Sequence, residues 1–149
     1  MKLLADQLQD IINEKAFLIE NIEEEEFRHR PSPDKWSKKE ILGHLVDSAQ
    51  NNIQRFVRGR YETGIHIVYD QNNWVEASDY LHYPTSDLIH LWILLNQHLC
   101  ILWRNMPEAA YSNMSNLSNS EPVWLDLRAV AQDYIAHLEH HIGQLKLEE

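Results

Sequence analysis

The residues best suited to chemistry stand late in the chain, in the run His137-Leu138-Glu139-His140-His141. At about 100° per residue, His137 and His141 lie about 40° apart around a helix axis. Two imidazoles spaced four residues apart on one helical face can share a single metal ion, as in the zincin helix. Measured from the apolar stripe of the same segment, His141 lies nearest its edge. His137 falls a little further round, and His140 almost opposite. His137 and His141 are therefore expected to face a cleft between helices, and His140 to face water. Taken alone, the run reads more readily as three solvated histidines than as a metal site.

A second candidate is His44, whose polar companions are Asp47, Ser48, Asn51 and Arg55. The same angular arithmetic places His44 well away from the apolar stripe of its own segment, so periodicity alone predicts a surface residue. His29, His66, His82, His90 and His98 offer no matching pair on one helix and read as structural or surface residues. The single cysteine, Cys100, sits in the apolar run Leu99-Cys100-Ile101-Leu102 and reads as a small buried hydrophobe. There is no serine–histidine–acid set and no phosphate-binding glycine loop.

Four helical segments must position these histidines. The first spans about Leu3 to Ile22, with Leu4, Leu8, Ile11, Leu18 and Ile22 on one face. The acidic run Glu23 to Glu26 reads as a solvated connection, and Pro31 and Pro33 stop any helix there. Ser37-Lys38-Lys39-Glu40 fits a capping box that opens the second helix, which ends near Gly59. From Arg60 to Pro84 the pattern breaks down. That stretch predicts a long loop with a short extended piece at Ile65 to Tyr69, fastened to the bundle by Trp74, Tyr80 and Tyr83. The third helix starts at Thr85 or Ser86 as N-cap and runs to about Asn105. It is apolar nearly all round, which predicts a central, well-covered helix. A Ser- and Asn-rich loop follows over Pro107 to Pro122. The fourth helix spans about Leu125 to Leu145, with Ala131, Tyr134, Ile135, Leu138, Ile142 and Leu145 as its stripe. Four long helices with polar outer faces predict an all-α four-helix bundle.

Composition bounds the rest. The chain has 149 residues, enough for one domain over 1–149 with a real core, and no internal repeat or linker divides it. Only four glycines and five prolines interrupt it, which suits long helices. The formal net charge of −10 repels phosphate backbones and speaks against nucleic acid as a partner. One cysteine cannot form an internal disulfide, which points to a reducing compartment. Met1 to Asp10 lacks the apolar centre of a signal peptide, and no apolar run reaches the roughly 18 residues of a membrane span. A cytoplasmic protein without membrane contact is the resulting expectation.

Two stretches carry a family resemblance. Lys35-Trp36-Ser37-Lys38-Lys39-Glu40-Ile41-Leu42-Gly43-His44-Leu45 closely resembles the motif that opens the second helix of DinB/YfiT-like proteins. His137-Leu138-Glu139-His140-His141-Ile142-Gly143-Gln144-Leu145 resembles their last-helix motif, and the lead-in Arg30-Pro31-Ser32-Pro33-Asp34-Lys35 also fits. The resemblance implies an up-down-down-up four-helix bundle with long connecting loops. It further implies a divalent metal ion, zinc or nickel, held by His44, His137 and His141. This overrides the periodicity reading of His44 and turns the polar stripe of the second helix toward a cleft. His140 falls where such proteins often carry a histidine that is not a ligand.

The activity so implied is that of a metal-dependent, thiol-dependent S-transferase or related hydrolase using a low-molecular-weight thiol. Ser48, Asn51 and Arg55 either contact a charged substrate or form a solvated helix face. A non-enzymatic metal- or ligand-binding role, linked to stress, is the alternative, and a metal-free bundle serving only oligomerisation is a third. The resemblance also implies a homodimer, for which the apolar third helix and the aromatics Trp74 and Trp124 are the hints in the sequence.

Overall fold

Capping signals and apolar spacing cut the chain into α1 (Lys2–Glu20), α2 (Glu24–Arg28), α3 (Lys38–Gly59), β1 (Ile65–His66), α4 (Gln71–Ser78), α5 (Thr85–Arg104), β2 (Met114–Asn116), β3 (Trp124–Asp126) and α6 (Leu127–Gln144). The structure is a computed structural model that describes residues 1–147, so the last two residues of the expected 1–149 unit lie outside it. The four long helices α1, α3, α5 and α6 make the bundle. α5 packs along both α1 and α3, while α6 lies against α3 and touches α1. Around the bundle the order is therefore α1–α5–α3–α6.

Directions follow from which ends meet. Arg104, at the end of α5, pairs with Asp6, near the start of α1, at 3.0 Å, so these two helices are antiparallel. The rings of Phe56 and Trp103, near the ends of α3 and α5, lie 5.2 Å apart, so those two run parallel. Leu127, which opens α6, abuts Gly59, which closes α3, so α6 turns back along α3. The order is up-down-down-up, as expected. The core is built from Phe27, Phe56, Trp92, Trp103 and the aliphatic stripes, all shielded from solvent. One buried polar pair is satisfied: the Tyr134 hydroxyl donates to Asn96 Oδ1 at 2.6 Å, and Asn96 Nδ2 donates to the Trp92 carbonyl at 2.8 Å, whereas the indole N–H groups of Trp92 and Trp103 have no partner among the described residues.

The entry to α3 follows the capping-box expectation. Glu40 N donates to Ser37 Oγ at 3.2 Å, and Ser37 N donates to Glu40 Oε2 at 2.9 Å. Arg30 Nε also donates to Glu40 Oε2 at 2.9 Å, so the lead-in segment is fastened to the same carboxylate.

Elsewhere the elements differ from expectation. Glu23–Glu26 is not a free connection. Glu24, Glu25 and Glu26 form the first turn of α2, where negative charge suits the helix dipole, and the turn is drawn in by the fully buried Phe27. The N-cap of α5 is Pro84 rather than Thr85 or Ser86, because the Thr85 hydroxyl is committed to Glu24. α5 is not covered all round either: Leu94 is 61% and Ile101 53% exposed on its outer face.

The two loops carry structure of their own. Arg60–Pro84 contains β1 and α4, the latter capped by Asp70, which accepts from Asn72 N and Asn73 N at 3.0 Å each. Pro107–Pro122 contains β2, which pairs parallel with β1 and antiparallel with β3 in a small three-stranded sheet. The start expected for the fourth helix, Leu125, belongs to β3. Asp126 is the N-cap of α6 and accepts from Ala129 N at 2.8 Å.

Tyr80 fastens the first loop, as expected, and explains Gly43. Its ring lies against the α3 backbone, so a Cβ at Gly43 would sit 2.1 Å from Tyr80 Cδ2. Its hydroxyl donates to Asp47 Oδ1 at 2.5 Å, one turn further along α3. Gly43→Ala must expel this ring and break the bond. We expect a loss of about 2–3 kcal/mol, measured by urea denaturation. A loss under about 0.5 kcal/mol would mean that Tyr80 can leave its seat freely.

Candidate functional site

Antiparallel packing of α3 on α6 sets the first turns of α3 opposite the last turns of α6. That brings His44, His137 and His141 together: one nitrogen from each lies within 4.8 Å of the other two. His44 Nε2 and His137 Nε2 are 3.1 Å apart. Two nitrogens on one tetrahedral zinc ion, at about 2.0–2.1 Å from it, would be about 3.3 Å apart. Among the described residues no carboxylate or thiol joins the group. His140 is exposed and stays outside the group, with its ring 5.0 Å from that of His141.

His44 is 1% exposed, against the surface position that periodicity predicts. The reason is that α3 is buried on two sides. Its apolar stripe faces the bundle core, and its polar stripe faces α6 and the segment after β1. Helical periodicity separates these two stripes but does not reveal that both are covered. Trp36 closes one side of His44, with ring centroids 5.2 Å apart.

Burial, then the neighbouring rings, makes all three imidazoles resist protonation. Desolvation, followed by His137 and His141, lowers the His44 pKa to about 3. Desolvation, followed by His141, His140 and Arg55, lowers that of His137 to about 4. His141 is lowered too, by desolvation working against its bond to Gln144. These rings present lone pairs at neutral pH, as metal ligands must. Gln144 Oε1 accepts from His141 Nδ1 at 2.8 Å, which leaves the His141 Nε2 lone pair free. The Nδ1 atoms of His44 and His137 are buried without a partner among the described residues, so nothing outside these rings forces the proton onto Nε2. The donor set, its spacing and its neutrality fit a divalent ion.

The polar stripe of α3 continues from His44 through Ser48, Asn51 and Arg55. These are 3%, 3% and 8% exposed, so the solvated-face alternative is overturned. Asn51 Nδ2 donates to the Asp47 carbonyl at 2.9 Å, and Arg55 Nη2 to the Ile67 carbonyl at 2.6 Å. Asp47, fully buried, keeps Oδ2 without a partner among the described residues, and burial raises its pKa to about 6. Sequence reasoning did not single out Tyr69 as a site residue and gave Tyr80 only as a fastening of the loop. Tyr69 lies over the stripe, with its pKa raised by burial and offset by Ser48 and Arg55. Their only signal was an aromatic residue in a loop.

The family model of the DinB superfamily matches residues 7–145. The chain belongs to the DinB superfamily. Solved structures similar to this DinB-superfamily chain include YfiT from Bacillus subtilis, described as a probable metal-dependent hydrolase with an unusual four-helix bundle topology. It is 20% identical, with a TM-score of 0.81 over 95% of this chain and 83% of that one. A mycothiol-dependent maleylpyruvate isomerase is 13% identical, with a TM-score of 0.77. This chain aligns over 98% of its own length but only 59% of that protein's. A DinB-like protein from Bacillus subtilis is 15% identical, with a TM-score of 0.66 over 96% of this chain and 86% of that one. At these identities the likeness is one of fold. No curated protein sequence matches significantly. No helix among the described residues is long and apolar enough to cross a membrane.

Proposed function

We propose that this protein is a divalent-metal-dependent enzyme of thiol chemistry, an S-transferase or related hydrolase, with His44, His137 and His141 as metal ligands and zinc or nickel as the ion. The observation that carries the reading is the three-donor set without a fourth protein ligand among the described residues. A structural ion is normally enclosed by four ligands, whereas three leave a position for a reacting group. Such an ion, when bound, lowers the pKa of a thiol or water beside it. The side chains do the remaining work. Trp36 shields His44 from water. Gln144 fixes the His141 tautomer. Ser48, Asn51 and Arg55 line the way into the cleft and meet the substrate. A reducing cytoplasm, where small thiols stay reduced, suits this chemistry and the lone buried Cys100.

The test is a thiol-transfer screen on zinc- and nickel-loaded protein, following loss of free thiol from glutathione or cysteine with electrophilic acceptors. Turnover that disappears in His137→Ala supports the reading. Metal-loaded protein inert toward every thiol and hydrolytic substrate would instead favour the non-enzymatic binding role. Gln144→Leu is expected to reduce zinc affinity about tenfold by releasing the His141 ring, measured by competition with a chromophoric chelator. An unchanged affinity would remove Gln144 from the account. A homodimer is also proposed, on the exposed Leu94 and Ile101 of α5. Light scattering of Leu94→Asp should then show a monomer, whereas a monomeric wild type would refute the dimer.

A further inference from the structure

Arg55 is a buried cation without an ionic partner. Its side chain is 8% exposed, yet among the described residues no carboxylate forms an ion pair with it within 4.0 Å. Its Nε and Nη2 donate to one acceptor, the Ile67 carbonyl, at 3.1 and 2.6 Å. Its Nη1 has only a 3.4 Å contact to Asn52 Oδ1. Removing a guanidinium from water with no carboxylate in contact is expensive, and the one carboxylate whose charge acts on Arg55, that of Asp133, lies beyond ion-pair distance.

Its position tells which ligand. Arg55 lies eleven positions after His44, so the two stand only about 20° apart around α3 and about 16 Å apart along it. Helical side chains lean toward the N-terminus of their helix, so Arg55 reaches back toward His44, as its contact with Asn52 shows. A planar guanidinium whose Nη1 is held only by the long contact to Asn52 matches a carboxylate in geometry and charge.

We propose that Arg55 is the anion anchor of the cleft and that the substrate is an organic acid whose carboxylate sits on Arg55 while its reacting end lies at the three histidines. This rests on the metal-centre reading given above, and the experiment keeps the two apart. Zinc uptake is measured first. Zinc-loaded protein is then titrated calorimetrically with mercaptohexanoate and with its neutral amide, which differ only at the end distant from the thiol. The acid should bind at least about tenfold more tightly, the usual scale of a charge-assisted pair. Arg55→Gln should abolish the preference and Arg55→Lys should keep part of it, with circular dichroism confirming that both variants fold.

Equal binding of acid and amide to the wild type, or a preference that survives in folded Arg55→Gln, overturns the anchor whatever the metal result. If zinc does not bind, the metal reading fails by itself. The metal-free protein titrated with hexanoate and hexanamide still decides the anchor: a preference for the acid that Arg55→Gln removes upholds it, and equal binding overturns it.

Discussion

Alanine in place of His137 will lower divalent-metal affinity by at least about a hundredfold. Loss of a group that merely hydrogen-bonds a ligating histidine costs about 10- to 100-fold, and a direct ligand lies at or above the top of that range. With His137 gone, the two nitrogens that remain come from His44 and His141, on different helices, and Nε2 of His44 loses the neighbour 3.1 Å away. Elemental mass spectrometry of untagged protein, purified without chelator, should find about one ion per wild-type chain and almost none in His137→Ala. His44→Ala and His141→Ala should behave alike. His140→Ala should keep its metal, because that ring is exposed and stays outside the group. Equal losses in all four variants would mean the ligands are misassigned. Absence of metal from the wild type, even after reconstitution with zinc and nickel, would refute the metal centre.

The metal-free protein will become less stable as pH falls from about 6.5 toward 5. In the unfolded chain each histidine takes a proton near 6.5, whereas folded His44 does so only near 3 and His137 near 4. Between those values the unfolded state holds more protons, so stability is complete above about 6.5 and drains away as pH drops. His141, lowered as well, adds in the same direction. Asp47 opposes them: its folded pKa is raised from 3.8 to about 6, so it favours the fold as pH falls through that range. The downward displacements of His44 and His137 together exceed this one upward displacement, so the histidines decide the sign. Glu24, Glu40, Asp34 and Asp70 have lowered pKa values and act below the ordinary carboxylate range, outside this window. Unfolding free energies from urea denaturation in chelator at pH 7 and pH 5 should differ by more than about 1 kcal/mol, since one pKa unit corresponds to about 1.4 kcal/mol. A midpoint that is flat or rises toward pH 5 would show that these rings are not desolvated. His44→Gln should flatten the slope.

The long helices and the histidine pair on one face of α6 were legible because they depend on local rules. The capping box at Ser37 and Glu40, the stripe of α6 and the spacing of His137 and His141 are all written within a few residues. What was not legible depends on partners distant in sequence. His44 looked solvent-facing because no rule local to α3 announces that α6 covers its polar stripe; only the motif resemblance pointed inward. The strands are two or three residues long, too short for alternation to show, and they exist because Met114–Asn116 lies between Ile65–His66 and Trp124–Asp126. Thr85 looked like an N-cap because its competing partner, Glu24, lies 61 residues earlier.

The up-down-down-up order has a consequence for when the site can come into being. Its donors lie on α3 and α6, and His44 and His137 are 93 positions apart. Loop-closure entropy must be overcome before the two meet, and packing of α5 on α3, with α6 folding back, is what overcomes it. A nascent chain that has released α1 to α5 holds one ligand and no site. On the proposed metal reading, loading would therefore be the last event of maturation, and an ion linking α3 to α6 would act as a clasp, holding the final helix against fraying once the rest of the bundle has formed.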